Sequence, residues 1–146
     1  MKHENSELAS WQQQLEDVTG SHSFCIIPWL HLATRPNGDA RICCVANASG
    51  SYTGDYGVGL VKKEDGEPSN FGNELPSEVF NNSYMRSIRK LMLDGKWPTG
   101  GCEYCKNIED AGGISDRITN LDFPGIHAPP ELDTDPQAIV VTPRIL

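Results

Sequence analysis

The fold turns on the stretch from Phe24 to Cys44, FCIIPWLHLATRPNGDARICC. Its first part, Cys25-Ile26-Ile27-Pro28-Trp29-Leu30-His31-Leu32, is rich in strand-forming residues and reads as a short apolar strand. Arg35–Asp39 reads as a turn, because Pro36 presets φ and Asn37-Gly38 tolerates positive φ. Ala40-Arg41-Ile42-Cys43-Cys44-Val45 then returns as a second apolar strand. Such a hairpin carries a cysteine near its open end on each strand. Two thiols close in space and far apart in sequence resemble half of a site more than core filling.

The chain around it has 146 residues, enough for one domain with a modest core. Apolar residues make only 38%, and 14 Gly with 10 Pro predict a large loop fraction. A net charge of −8 and a pI near 4.8 argue against general affinity for nucleic acid or an anionic membrane. No apolar run approaches the ~18 residues of a membrane span. The start, Met1-Lys2-His3-Glu4-Asn5, leads into polar sequence rather than an apolar signal region, which argues against export and for the cytoplasm. Cysteine clusters in such reducing surroundings more often bind metal or react than form disulfides, and five is an odd number.

Residues 1–22 read as a polar N-terminal arm, either a short helix or a mobile segment, with a weak helical signal at Leu8, Trp11 and Leu15. Asn47 to Glu74 is a long Gly-rich and Ser-rich connection, to which Val58-Gly59-Leu60-Val61 adds a short strand. Helical sequence begins at Pro76-Ser77-Glu78 with Ser77 as N-cap, and Asn82 or Ser83 caps a second helix. Tyr84, Ile88, Leu91 and Met92 give that helix an apolar stripe, Arg86, Arg89 and Lys90 a solvated face, and Gly95 a stop. Lys106 to Asn120 is helical with a break at Gly112-Gly113. Residues 122–146 read as a Pro-rich linker, or the start of a missing domain, ending in the strand-like Ala138-Ile139-Val140-Val141. The expected fold class is therefore α+β: a small hairpin plus two or three helices around a four-Cys metal site, with long loops.

Cys102-x-x-Cys105 lies at a helix start, where both sulfurs face one point and the helix dipole favours thiolate. A CxxC alone also occurs in dithiol redox sites, but the βαβ surroundings of such sites are missing and three further cysteines remain. Adding Cys25 and one of Cys43 or Cys44 completes four sulfur ligands, a count that suits tetrahedral zinc or an iron–sulfur cluster. Adjacent strand residues point to opposite faces, so Cys43 and Cys44 do not share one compact centre, and the spare one is a buried packing residue. The irregular C…C…CxxC spacing suits a cluster somewhat better than the paired knuckles of most four-Cys zinc folds, yet leaves zinc open.

Several motifs in order resemble the SPASM/twitch auxiliary iron–sulfur domains of radical SAM proteins. The opening Phe24–Leu32 and Pro36–Cys44 carry that family's Cys, apolar strand, turn and Cys five residues after the glycine. Glu78–Arg89 is similar to its Arg-bearing helix, and Asp94-Gly95-Lys96-Trp97-Pro98 precedes the CxxC as in the twitch-containing group. Glu109, Gly112-Gly113, Ser115, Arg117 and Asn120 resemble that group's tail. The resemblance covers about residues 24–120, within an expected cluster-binding domain of residues 23–121. It implies an auxiliary [4Fe-4S] cluster held by Cys25, Cys43, Cys102 and Cys105, with Cys43 preferred over Cys44 because it sits five residues after Gly38.

These residues lack the CxxxCxxC motif that holds the catalytic cluster of radical SAM enzymes. The resemblance therefore implies a detached or truncated accessory domain that does not cleave S-adenosylmethionine alone. It would act in electron transfer or substrate placement, with a radical SAM barrel domain or enzyme as partner and a peptide or small molecule as substrate. Two other classes stand beside it: a zinc-stabilised protein-interaction module and a thiol oxidoreductase using Cys102 and Cys105. His31 reads as a structural histidine in the first strand, and Trp29 and Trp97 as packing over the metal site. Glu109 and Arg117 either pair or contact the barrel, with the barrel contact slightly favoured. Asn47-Ala48-Ser49 matches a glycosylation sequon without meaning in the absence of export.

Overall fold

The computed structural model describes residues 2–46 and 59–119. The 47–58 part of the long connection, the sequon, Asn120 and everything from 121 onward lie outside the described residues. Within them the fold is mixed α and β, with small antiparallel pairings and helices packed around them.

The decisive stretch forms a hairpin, but a shorter one than its composition predicts. Residues 27–30 are helical (α2, Ile27–Leu30). The strands are only Ala33–Thr34 (β1) and Ala40–Arg41 (β2), paired antiparallel with Ala33 opposite Arg41. Pro28 explains the difference: its fixed φ suits the first turn of a helix, and its missing N–H would interrupt a strand ladder. The turn falls where expected, closed by Gly38 N–H donating to Arg35 C=O at 2.9 Å. His31 is exposed at the end of α2, so the structural role expected for it within a strand does not hold.

The connection returns to widen this small sheet. Leu60 bridges Arg41, Lys62 bridges Pro68, and Asn70 bridges Asp39. Val61 N–H donates to Ala40 C=O and Ala40 N–H to Ser69 C=O, both at 2.9 Å. Of the short strand expected over Val58–Val61, Leu60 forms a single bridge, and Val58 lies outside the described residues.

The N-terminal segment takes the helical alternative, over 18 residues (α1, Lys2–Thr19). Its Leu8 and Leu15, seven apart and so on one face, pack with Phe24, Ile26, Trp29, Ile88, Met92 and Ile118 in a first core. A second core gathers Ala40, Ile42, Ala46, Val61, Val79 and Met85. Between them runs α4 (Ser83–Leu93), after the single-turn α3 (Pro76–Phe80). Asn82 caps α4 by accepting from Met85 N–H at 2.9 Å, as its position predicts. In α3 the N-cap is Leu75, not Ser77, and Glu78 accepts from the Leu75 N–H at 3.0 Å.

Arg89 overturns the expectation of a solvated basic face, for it is fully buried. Its Nε donates to Pro28 C=O at 2.9 Å, and Nη2 donates to Phe80 C=O. The guanidinium lies 4.6 Å from the Phe80 ring centroid. Burial and then the neighbouring Arg86 lower its pKa to about 10. Arg89 therefore ties α4 to α2 and α3 through carbonyls that have no partner within their own short helices. No periodicity reveals this, because a buried arginine and an exposed one read alike in sequence.

Candidate metal centre

The four cysteines Cys25, Cys43, Cys102 and Cys105 line one partly open pocket. The pocket sits at the seam of the two cores. Cys25 packs against the first core, Cys43 against the second, and Cys102 against both. Ile27, Pro28, Ile42, Val45, Met92 and Trp97 supply most of the remaining wall, which is almost wholly apolar. Cys44, adjacent in sequence, is exposed and does not line it.

Each cysteine is delivered by a distinct local device. Cys25 precedes α2, and the backbone N–H of Ile27 is aimed at its sulfur. Cys43 lies just past β2 in a turn whose Val45 and Ala46 N–H groups face its sulfur. The discrimination between Cys43 and Cys44 therefore comes from a turn, not from strand alternation, and Cys44 is a surface residue rather than a packing one. Cys102 is the N-cap of α5 (Glu103–Asp110), and Cys105 lies in its first turn. The helix start expected for the CxxC is therefore present.

Two glycines bring the halves of the site together. Gly59 N–H donates to Gly100 C=O at 2.7 Å, and Ile42 N–H donates to Gly59 C=O at 3.0 Å. Gly59 thus joins the residue before Cys43 to the loop before Cys102. At φ +79° a Cβ on it would stand 2.6 Å from the Ala46 Cβ. At Gly101 a Cβ would stand 2.9 Å from Ile42 Cδ1. Only hydrogen at both positions allows this approach. The Glu103 carboxylate then pins the loop, accepting from the N–H groups of Gly100 and Gly101 at 2.7 Å each. Burial works against its charge, but the N–H groups of Gly100, Glu103 and Gly101 prevail and hold its pKa below the ordinary value.

The electrostatics are those of thiols kept neutral by burial. Burial pushes Cys25 up to about 12 and Cys43 up to about 11, while Cys102 and Cys105 are raised by the same cause. Charge on Cys25, Cys43 and Cys105 would each oppose charge on Cys102, so the four are electrostatic neighbours. The helix start expected to favour thiolate at the CxxC is outweighed by apolar burial. Among the described residues no group of three or more His, Cys, Asp or Glu could hold a single metal ion.

Behind the pocket lies a buried ion pair, formed by the two residues for which the sequence slightly favours contact with a missing barrel. Glu109 and Arg117 pair with each other, both side chains 2% exposed. Arg117 Nε donates to Glu109 Oε2 at 2.9 Å, Nη2 to Oε1, and Nη1 to Phe24 C=O at 2.8 Å. Ser115 Oγ and Gln12 Nε2 add bonds to the same carboxylate at 2.9 and 2.8 Å. The break at Gly112-Gly113 allows this: after α5, the chain turns back and α6 (Asp116–Thr119) returns Arg117 beneath Cys25 and Cys105. Trp97 does belong to the pocket wall, whereas Trp29 is buried against Phe24 in the first core, ring centroids 5.0 Å apart.

Compared with known proteins, the chain matches no family model, no curated protein and no solved structure. No helix among the described residues is long and apolar enough to cross a membrane.

Proposed function

We propose that this chain binds an auxiliary [4Fe-4S] cluster through Cys25, Cys43, Cys102 and Cys105. It would act as an accessory domain of a radical SAM enzyme, in electron transfer or substrate placement. The observation that carries the reading is the convergence of four thiols, from positions spread over 81 residues of sequence, on one apolar pocket that excludes the fifth. A fixed set of four sulfurs is the donor set such a cluster takes. The N–H groups aimed at Cys25, Cys43 and Cys105 fit it too, since hydrogen bonds to ligand sulfurs stabilise their thiolate form. When bound, the cluster would supply a one-electron redox centre. The four cysteines would hold it, within a wall to which Trp97, Met92, Ile42 and Arg117 contribute.

Four thiolates are equally the donor set of tetrahedral zinc, so a zinc-stabilised protein-interaction module is the alternative that metal analysis separates from the cluster. The thiol-oxidoreductase reading is opposed by burial, because redox-active pairs need a lowered thiol pKa and these are raised.

Anaerobic reconstitution with iron and sulfide tests the proposal. A brown protein absorbing near ~400 nm is expected for the wild type and for Cys44→Ser. Serine at Cys25, Cys43, Cys102 or Cys105 should weaken or abolish the colour. Loss of colour in Cys44→Ser with retention in Cys43→Ser would move the ligand by one residue.

A further inference from the structure

We propose that Glu109 and Arg117 are positioning residues that set the cluster's reduction potential in opposite senses, Arg117 raising it and Glu109 lowering it. The inference rests on the cluster reading given above. A buried ion pair is a poor device for stability alone, because apolar side chains of similar volume often do as well or better. This pair has a location that stability does not require. Arg117 forms part of the pocket wall with its guanidinium 5.0 Å from the centroid of Trp97, another wall residue.

The geometry fixes the charge in place. Nε and Nη2 are spent on Glu109, and Nη1 on the carbonyl of Phe24, the residue before Cys25. Glu109 is held in turn by Ser115 from the α5–α6 connection and by Gln12 from α1. Arg117 shares the pocket wall with Cys25 and Cys105, and Glu109, four residues past Cys105 in α5, is joined to Arg117 by the buried ion pair. Reduction adds one electron to the cluster, so a fixed cation stabilises the reduced form and a fixed anion destabilises it. In a largely apolar pocket, water screens both less than it would at the surface.

The test is a redox titration of the cluster-loaded full chain, poised with dithionite and read by electron paramagnetic resonance. Arg117→Met should shift the potential negative and Glu109→Gln should shift it positive, while the double variant falls between them. Thermal stability should fall in both single variants, because each orphans a buried partner. A purely structural role therefore moves both variants the same way, and only the electrostatic role moves the potentials apart. Arg117→Lys keeps the charge without the forked hydrogen bonds and should stay near the wild-type potential. If Arg117→Met does not fold, Glu109→Gln and Arg117→Lys carry the comparison. Shifts of one sign in both single variants, or no shift with the cluster intact, overturn the inference and leave the cluster reading standing. A wild-type protein that takes up no iron overturns the cluster reading itself.

Discussion

Substituting Gly59 by alanine should damage the metal centre through a backbone contact, without touching a ligand. Two costs add. An L-residue held in the left-handed region costs roughly 1–2 kcal/mol. The new methyl would also lie 2.6 Å from the Ala46 Cβ and 2.8 Å from its carbonyl oxygen. Overpacking of that kind costs typically about 1–3 kcal/mol, for a total of about 2–5 kcal/mol. Gly66 is the matched control: its φ is +86°, yet nothing stands within 4 Å of where an alanine methyl would sit, so Gly66→Ala should cost only the left-handed strain. Urea unfolding under anaerobic conditions measures both, with the shift in midpoint read at constant slope. Because Gly59 links Ile42 to Gly100, relieving the clash parts the Cys43 turn from the CxxC loop. Gly59→Ala should therefore also load less iron than Gly66→Ala. Equal destabilisation of the two variants to within ~0.5 kcal/mol would refute the close-approach reasoning. A strongly destabilised Gly59→Ala that still loads iron fully would refute its link to the site.

Three further outcomes concern the titrating groups. In the metal-free protein at pH 8, iodoacetamide should modify exposed Cys44 well before buried Cys25, whose pKa stands at about 12, and peptide mass mapping shows the order. Prior modification at Cys102 or Cys105 would favour the thiol-oxidoreductase reading instead. Raised folded-state values also mean that stability from keeping these thiols neutral is present below their ordinary pKa of 9.0. It is lost as the pH rises toward 11 and 12, so metal-free protein should unfold in alkali. Glu103 has the opposite sign: its folded pKa is lowered, so its contribution is present above the ordinary 4.5 and lost as the pH falls through the folded value. Glu103→Gln should flatten the acid limb of the thermal-stability profile, and an unchanged acid limb would show that the Gly100–Gly101 pin contributes nothing.

How far the sequence could be read depended on the kind of signal. Spacing located the CxxC at a helix start and Asn82 as a cap, because both are properties of a few consecutive residues. Family motifs brought four cysteines together on paper, and the same four line the pocket. Composition misjudged Ile27–Leu30, where β-favouring side chains were overruled by one proline at a helical first turn. Periodicity misplaced Arg89, since a stripe pattern assumes that charge faces water and cannot anticipate carbonyl partners 61 and 9 residues away. The Glu109–Arg117 pair was visible as two motif positions, but the turn between α5 and α6 decides whether they meet each other or a partner. Cys44 was set aside for the wrong reason, by alternation in a strand that ends at Arg41.

The most direct test of the account is metal analysis of the protein purified without exposure to air, with iron, zinc and acid-labile sulfide counted per chain. The account predicts about four irons and a matching amount of sulfide, both lost in Cys25→Ser and kept in Cys44→Ser. One zinc per chain with no iron or sulfide would contradict it.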